Sequence, residues 1–469
     1  MLELSIKHII GIIITLLGIT IVGIYSGKNI KSSLDFSTGG RNARYPLIVG
    51  TILGTAAGGA STIGTAQLAY VYGFSAWWFT LGAGIGCLIL GLFFVKPLYQ
   101  TGSDTVPEML SEEYGGASGA ISSAFVSLGI FLNIIAQVLS AVALLTSMFN
   151  INSNIAAAIS MALMACYVVF GGVWGTGMVG IAKLILIYIS VITAGFLALK
   201  GGGGYFGFKE ALPAFPYFSL FGRGVWTDIA AGFSVVIGML STQTYIQAVV
   251  SGKTIRESKI GALISSFLII PIGLASIFIG MYMRLNYPNL DPASAFPTFV
   301  MNIMNPWMGG IVLATLLVAV VGTGAGLALG VGTIFTKDIY KNYINKKADD
   351  KQLLKVTRIM IIVILGLTLV FVSGNVKSLI LKWSFMSMGL RGATVFAPLC
   401  AALFLKGKVK PSMAICSMFL GPLSVLFGEM LLPESIDPLY LGIVISFMFI
   451  IIGLILETRK LDNDIKYSR

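Results

Sequence analysis

Apolar residues run along this chain in membrane-length blocks separated by short polar stretches. A helix rises about 1.5 Å per residue, so about 20 apolar residues cross the hydrocarbon core of a bilayer. On that measure the pattern predicts thirteen spans, at 8–26, 46–72, 77–97, 119–147, 155–173, 178–199, 226–250, 260–284, 308–334, 356–374, 379–404, 411–430 and 438–456. The second block is interrupted. Within PLIVGTILGTAAGGASTIGTAQLAYVYG (46–73), the run Thr55-Ala-Ala-Gly-Gly-Ala-Ser-Thr62 puts two adjacent glycines and three hydroxyls at mid-depth, where lipid offers backbone groups no partner. A break there persists when it faces protein or a polar cavity, which makes it a candidate solute site; close packing of small residues against another helix is the plainer alternative. The seventh block, Trp226 to Val250, carries a second break near Gly238 to Thr242, with Ser241, Thr242, Gln243, Tyr245 and Gln247 where apolar residues would be expected.

Two broken spans five apart are the hydropathy signature of an inverted repeat with its site between the breaks. The expected fold is an all-α polytopic membrane protein. A peripheral first helix and cytoplasmic loop (1–45) precede the first five-helix repeat (46–200); an outer loop (201–225) leads to the second repeat (226–405), and two peripheral helices with a tail (406–469) complete the chain.

Composition agrees with the pattern. Mean hydropathy is +0.91 and only 11% of residues are charged, far from the usage of a soluble domain. The first block has no small-residue cleavage motif and reads as a helix that stays. Cys87, Cys166, Cys400 and Cys416 lie in apolar stretches without CxxC spacing, so neither a disulfide framework nor a metal site is indicated. His8 is the one histidine, and no intramembrane Asp/Glu cluster accompanies it, which argues against a membrane-embedded enzyme. Most of the 31 lysines and arginines fall in loops on one side, with Lys7, Lys200, Lys209, Arg223, Arg284 and Lys377 on the other. By the positive-inside rule the N-terminus is outside and the C-terminus cytoplasmic, in a multi-pass protein of the plasma (inner) membrane, and the net charge of +12 calls for no nucleic-acid partner.

Several stretches together carry a resemblance: DFSTGGRN (35–42), STIGTAQLAYVYG (61–73), the YVVFGGVWG turn (167–175), QTYIQAVVSGKTIRESKIGA (243–262) and GTIFTKDIYKNY (332–343). In this order, over nearly the whole length, the chain resembles the sodium/solute symporters. That resemblance implies a leucine-transporter-like five-plus-five fold, alternating access and a sodium site between the second and ninth spans. Residue by residue, it places backbone ligands at Gly54, Ala57 and Ala319, and two adjacent hydroxyls at positions that here read Gly322 and Thr323. Glycine has no side-chain oxygen to give.

The sixth span departs further. Where the family commonly shows T-D-x-x-Q, with its Asp near sodium, the register here reads Val179-Gly-Ile-Ala-Lys183. A hard cation needs oxygen ligands, and an ammonium beside it repels it. The coordinated change places the Lys183 ammonium at the sodium position, bridging the Gly54, Ala57 and Ala319 carbonyls with the Thr323 hydroxyl. Sodium as coupling ion is then doubtful. An amine that gains and loses a proton would couple transport to protons, and one that stays charged would leave it uncoupled. The alternative is a lysine near a helix start whose stem snorkels to the interface, with a modified but working sodium site.

Arg391, halfway along the eleventh span, suits a carboxylate by its planar fork; pairing with a helix C-terminus and a role in a gate are the alternatives. Asn133 and Gln137 present amides on one face of the fourth span, for a solute or for interhelical hydrogen bonding, and Asp228 reads as an N-terminal cap. The solute contacts expected are Gly58, Ser61, Thr62, Gln137, Gln243, Tyr245 and Arg391, for a small organic, carboxylate-bearing solute carried by a symporter without cofactor or firm metal site. A sensor on a transporter scaffold would carry an output domain, and none is expected after residue 456.

Overall fold

Apolar blocks free of strand-like alternation form helices throughout, and among the described residues the one β contact is an isolated bridge between Ala43 and Gly252. The computed structural model describes residues 4–27, 41–103, 105–171, 174–432 and 437–467. Residues 35–40 of the DFSTGGRN stretch and 172–173 of the expected turn lie outside them.

Helix α1 (Ile6–Gly27) precedes the broken helix α2, made of α2a (Tyr45–Ala56), a π-helical turn (Ala60–Gly64) and α2b (Thr65–Tyr72). Helix α3 starts as Trp78–Ile89 and runs on through Val95–Thr101; then come the short α4 (Val106–Tyr114), α5 (Gly116–Phe149), α6 (Ser153–Gly171) and α7 (Trp174–Ile187), the last extended by Thr193–Gly201. The short α8 (Gly204–Ala211) leads to the second broken helix, α9a (Val225–Ser241) and α9b (Gln243–Val250). After it follow α10 (Ile255–Asn286), α11 (Ala295–Ile303), α12 (Pro306–Ile334), α13 (Asp350–Asn375), α14 (Ile380–Phe404), α15 (Pro411–Leu431) and α16 (Pro438–Tyr467).

Nine helices among the described residues are long and apolar enough to cross a membrane, ten when the pair α9a and α9b, bent by 46°, counts as one span. The thirteen spans read from the sequence are not reached on that criterion. The break divides α2, and Gly73–Trp77 continues as a 3-10 turn, so that α2b and α3 run on as one stretch, Ala60–Thr101. Ile6–Ile21, Tyr45–Ala56 and Ser153–Tyr167 remain as shorter apolar helices.

The two broken helices run antiparallel. Ala43, before α2, pairs with the segment after α9 through Ala43 N to Ser251 O (3.1 Å) and Lys253 N to Ala43 O (2.8 Å). At the opposite face Ser75, just past α2, donates to Asp228 Oδ1 in α9a at 2.7 Å. Around this pair, α5 and α12 are the most enclosed, with 89% and 78% of their most apolar windows buried, whereas α13 and α16, at 28%, face outward.

Asp228 does not act as the predicted helix cap. Gly224 occupies that position with φ of 111°, which favours glycine, and Asp228 sits fully buried in the first turn. There it accepts from Arg223 Nε at 2.8 Å and from the Arg223 backbone N–H at 3.0 Å, and the Arg223 guanidinium lies 5.1 Å from the centre of the Phe385 ring on α14.

Candidate solute and cation site

Helix α2a ends where Ala57 leaves helical geometry (φ −86°, ψ 78°). The chain recovers through the π turn, in which Gly64 N reaches Gly59 O at 2.8 Å and Thr65 Oγ1 reaches Ala60 O at 2.9 Å. A helix interrupted in its middle leaves amides unmet, and each needs a partner away from water. Gly59 N finds one in Gln137 Oε1 on α5, at 2.9 Å; Gln137 is aimed by its own amide, which donates to Asn133 Oδ1 at 3.2 Å. Ser61 Oγ and Thr62 Oγ1 both donate to Gly58 O, at 3.0 and 2.8 Å. The glycines are required by space: a Cβ on Gly59 would stand 2.3 Å from Ser140 Oγ, and one on Gly58 would stand 2.8 Å from Thr323 Oγ1.

The second break falls at Thr242 (φ −88°, ψ 123°). Its hydroxyl donates to Gly238 O at 2.6 Å and accepts from Arg391 Nη1 at 2.8 Å. Arg391 is fully buried on α14, and its remaining bonds go to Ser387 O (3.1 Å), Ser387 Oγ (2.9 Å) and Met388 Sδ (3.3 Å). Every one of these partners is neutral. The ring of Tyr245 is buried on α9b, three residues past this break. Gln243 Oε1 accepts the Val106 N–H of α4 at 2.8 Å.

The predicted solute residues thus form two groups, with Gly58, Ser61, Thr62 and Gln137 at the first break and Gln243, Tyr245 and Arg391 at the second. Most of their side chains already meet backbone: Ser61, Thr62 and Arg391 donate to carbonyls, and the side-chain oxygens of Gln137 and Gln243 each hold an amide that a broken or starting helix leaves over.

The residues expected to form the cation position come together between α2, α7 and α12. Lys183 is 4% exposed, and its ammonium does not run to an interface. Nζ donates to Gly54 O at 2.6 Å and to Thr323 Oγ1 at 2.7 Å. Ala57 and Ala319 are buried but receive no bond from it. An ammonium has three directed donors, whereas a spherical ion gathers oxygens all round, so the lysine takes fewer of the expected ligands than an ion would. At Gly322 there is room, since an added Cβ would meet nothing nearer than Tyr167 Oη at 3.8 Å.

What brings Lys183 so close is a glycine contact that the sequence reading did not single out. Gly50 and Gly54 are spaced G-x-x-x-G on α2a, and Gly180 lies one turn before Lys183 on α7. A Cβ on Gly54 would stand 2.9 Å from Gly180 Cα, and one on Gly180 would stand 2.5 Å from Gly50 O. The spacing was the available signal, because small residues four apart let membrane helices touch backbone to backbone. Gly180→Ala is expected to push α7 away from α2a, at a cost of about 1–3 kcal/mol, and to lower both the melting temperature and the transport rate of the reconstituted protein. A variant with unchanged values would show that this approach is dispensable.

With this geometry in hand, the comparisons with known proteins decide the family. A model of the sodium:solute symporter family matches residues 36–421. The chain belongs to that family. Among its relatives are human high affinity choline transporter 1, 23% identical over 429 residues (86% of this chain, 73% of that protein), and the osmoregulated proline transporter of Bacillus subtilis, 22% identical over 402 residues (81% and 80%). The fruit fly high-affinity choline transporter 1 is 22% identical over 400 residues, and the chain spans 65% of its length. In fold, the chain is similar to a substrate-bound, outward-open Na+-coupled sialic acid symporter, with a TM-score of 0.79 at 18% identity over 97% of this chain and 98% of that one. A transporter of the nucleobase-cation-symport-1 family gives 0.62 at 13% identity, over 92% and 96%. The family is one of multi-pass membrane proteins that move a small solute with a coupling ion, so the class it points to is transport rather than catalysis. The chain's fold is the inverted-repeat, leucine-transporter-like one that the two antiparallel broken helices suggested.

Proposed function

We propose that this family member carries a small carboxylate-bearing organic solute by alternating access, with the Lys183 ammonium taking the place of the sodium ion, so that coupling is to protons or absent. One observation carries the reading: the ammonium is bonded to Gly54 O and Thr323 Oγ1, two of the oxygens a sodium ion would use. A second cation in the same position would face the repulsion of a charge already there. The solute's sign rests on Arg391, a fully buried guanidinium whose bonded partners are neutral. A buried charge is costly unless an opposite charge meets it, and a carboxylate cargo supplies one. The relatives do not decide this sign, because proline bears a carboxylate and choline a quaternary ammonium.

Gly58, Ser61 and Thr62 at the first break and Tyr245 and Arg391 at the second are the solute contacts in this reading. Gln137 and Gln243 hold the backbone around them. The protein sits in the plasma (inner) membrane with its N-terminus outside.

A thermal-shift screen of small carboxylates on the purified protein identifies the solute, and proteoliposome uptake then tests the assignment. Arg391→Gln is expected to weaken solute affinity by about tenfold to a hundredfold, the worth of one or two bonds to a charged group, and Ser61→Ala by less. Uptake by the unaltered protein is expected to persist when all sodium is replaced by potassium. Unchanged affinity in both variants would move the solute site elsewhere, and strict sodium dependence would favour the modified sodium site instead.

A further inference from the structure

Two glutamines, one beyond each break, reach across to cap a helix that belongs to another part of the bundle. Helix α14 starts after Leu379, which has no side chain able to cap it. Its Ile380 N–H is accepted by Gln67 Oε1 of α2b at 2.8 Å, from 313 residues away, and Gln67 Nε2 donates to Ser378 O at 3.4 Å. Helix α4 has a capping box, in which Thr105 and Glu108 satisfy each other's amides. That leaves the Val106 N–H, which Gln243 Oε1 of α9b accepts at 2.8 Å.

These caps lie on opposite faces. Gln67 is on the α2 half nearer Ser75, where α2 meets Asp228 of α9a; Gln243 is on the α9 half that leads to Gly252, where α9 meets Ala43. In this structure both caps are made. They are also joined through the site, because α14, whose first amide Gln67 holds, carries the Arg391 that bonds Thr242, the residue before Gln243.

We infer that Gln67 and Gln243 are the latches of the two gates, and that solute passes when one cap opens while the other stays closed. The inference rests on alternating access and is independent of what occupies the cation position. A helix's first amide is a suitable catch. It needs a partner, it donates to a water oxygen as readily as to a glutamine oxygen, and the net worth of the exchange is small enough to be reversed in every cycle.

The test uses the full-length protein with Cys87, Cys166, Cys400 and Cys416 replaced by serine, spin-labelled in nanodiscs and measured by double electron–electron resonance. One label pair, Tyr72→Cys with Lys377→Cys, straddles the Gln67 cap; the other, Ser111→Cys with Lys253→Cys, straddles the Gln243 cap. Gln67→Met is expected to lengthen the first distance and leave the second, with the open-to-closed ratio rising about five- to thirty-fold. Gln243→Met is expected to do the reverse. Gln67→Glu and Gln243→Glu keep an acceptor oxygen and are expected to match the parent, a rescue that a packing role would not give. If neither Met variant shifts its own pair, if both shift both pairs alike, or if the Glu variants open as far as the Met variants, the latches are refuted. Because none of these readouts involves uptake, such a result leaves the proposed transport function standing.

Discussion

In sodium-free buffer, Lys183→Ala is expected to lose at least tenfold in solute uptake while the unaltered protein transports. Among the described residues, the lysine is the one side chain that bonds α7 to both α2a, at Gly54, and α12, at Thr323. Removing it leaves the Gly54 carbonyl with only a long contact from Thr323 Oγ1, at 3.4 Å, and an unmet buried acceptor costs about 1–3 kcal/mol. The closed arrangement of these three helices is then destabilised relative to the open one. If Lys183 picks up and releases a proton in each cycle, an inward gradient of one pH unit can drive about tenfold accumulation at one proton per turnover with no net charge moved. Lys183→Ala would only equilibrate the solute. If the lysine stays charged, the unaltered protein reaches the same final ratio with or without the gradient, and Lys183→Ala reaches it more slowly. Lys183→Arg is not expected to rescue either behaviour, since a planar fork cannot replace a compact ammonium between two oxygens. Uptake that requires sodium and is indifferent to Lys183→Ala would end the proposal.

How much of this was legible in the sequence follows from the range of the interactions concerned. The breaks at Ala57 and Thr242 could be read locally, because glycines and hydroxyls at mid-membrane depth conflict with a continuous helix whatever packs around them. Lys183 stood out against a family pattern, as a charge where oxygens are expected. The backbone partners of Gln137 and Gln243 could not be named from the sequence, because a polar side chain facing inward looks the same whether it meets a solute, another helix or a backbone amide. Only the fold brings Gly59 and Val106 to them. Asp228 was misread for a related reason: its partners are Ser75, 153 residues away, and Arg223 on a loop that turns back toward it. The G-x-x-x-G spacing of Gly50 and Gly54 was visible, but its meaning depends on Gly180 lying opposite.

Combining Lys183→Ala with Gly322→Ser is expected to create a sodium response that the unaltered protein lacks. Each change supplies one missing condition. Lys183→Ala removes the resident charge and frees Gly54 O and Thr323 Oγ1, which the ammonium now occupies at 2.6 and 2.7 Å. Gly322→Ser restores a hydroxyl beside that of Thr323, in a place where an added Cβ meets nothing nearer than Tyr167 Oη at 3.8 Å. Backbone carbonyls at Gly54, Ala57 and Ala319 need no change, so the site regains the all-oxygen ligands that a hard cation prefers. The carboxylate absent at Gly180 stays absent, and the affinity is expected to be modest. At a sodium concentration ten times the Kd, binding would add about 1.4 kcal/mol of stability, a rise of roughly one to two degrees in melting temperature for a chain of 469 residues. The measurement is thermal unfolding in sodium against potassium chloride at equal ionic strength. Lys183→Ala alone should respond weakly and Gly322→Ser alone not at all, because in the second case the ammonium still fills the position. If the double variant is as indifferent to sodium as the unaltered protein, Lys183 is not standing where the ion would bind; if the unaltered protein is itself stabilised by sodium, a working ion site coexists with the lysine and the substitution argument fails.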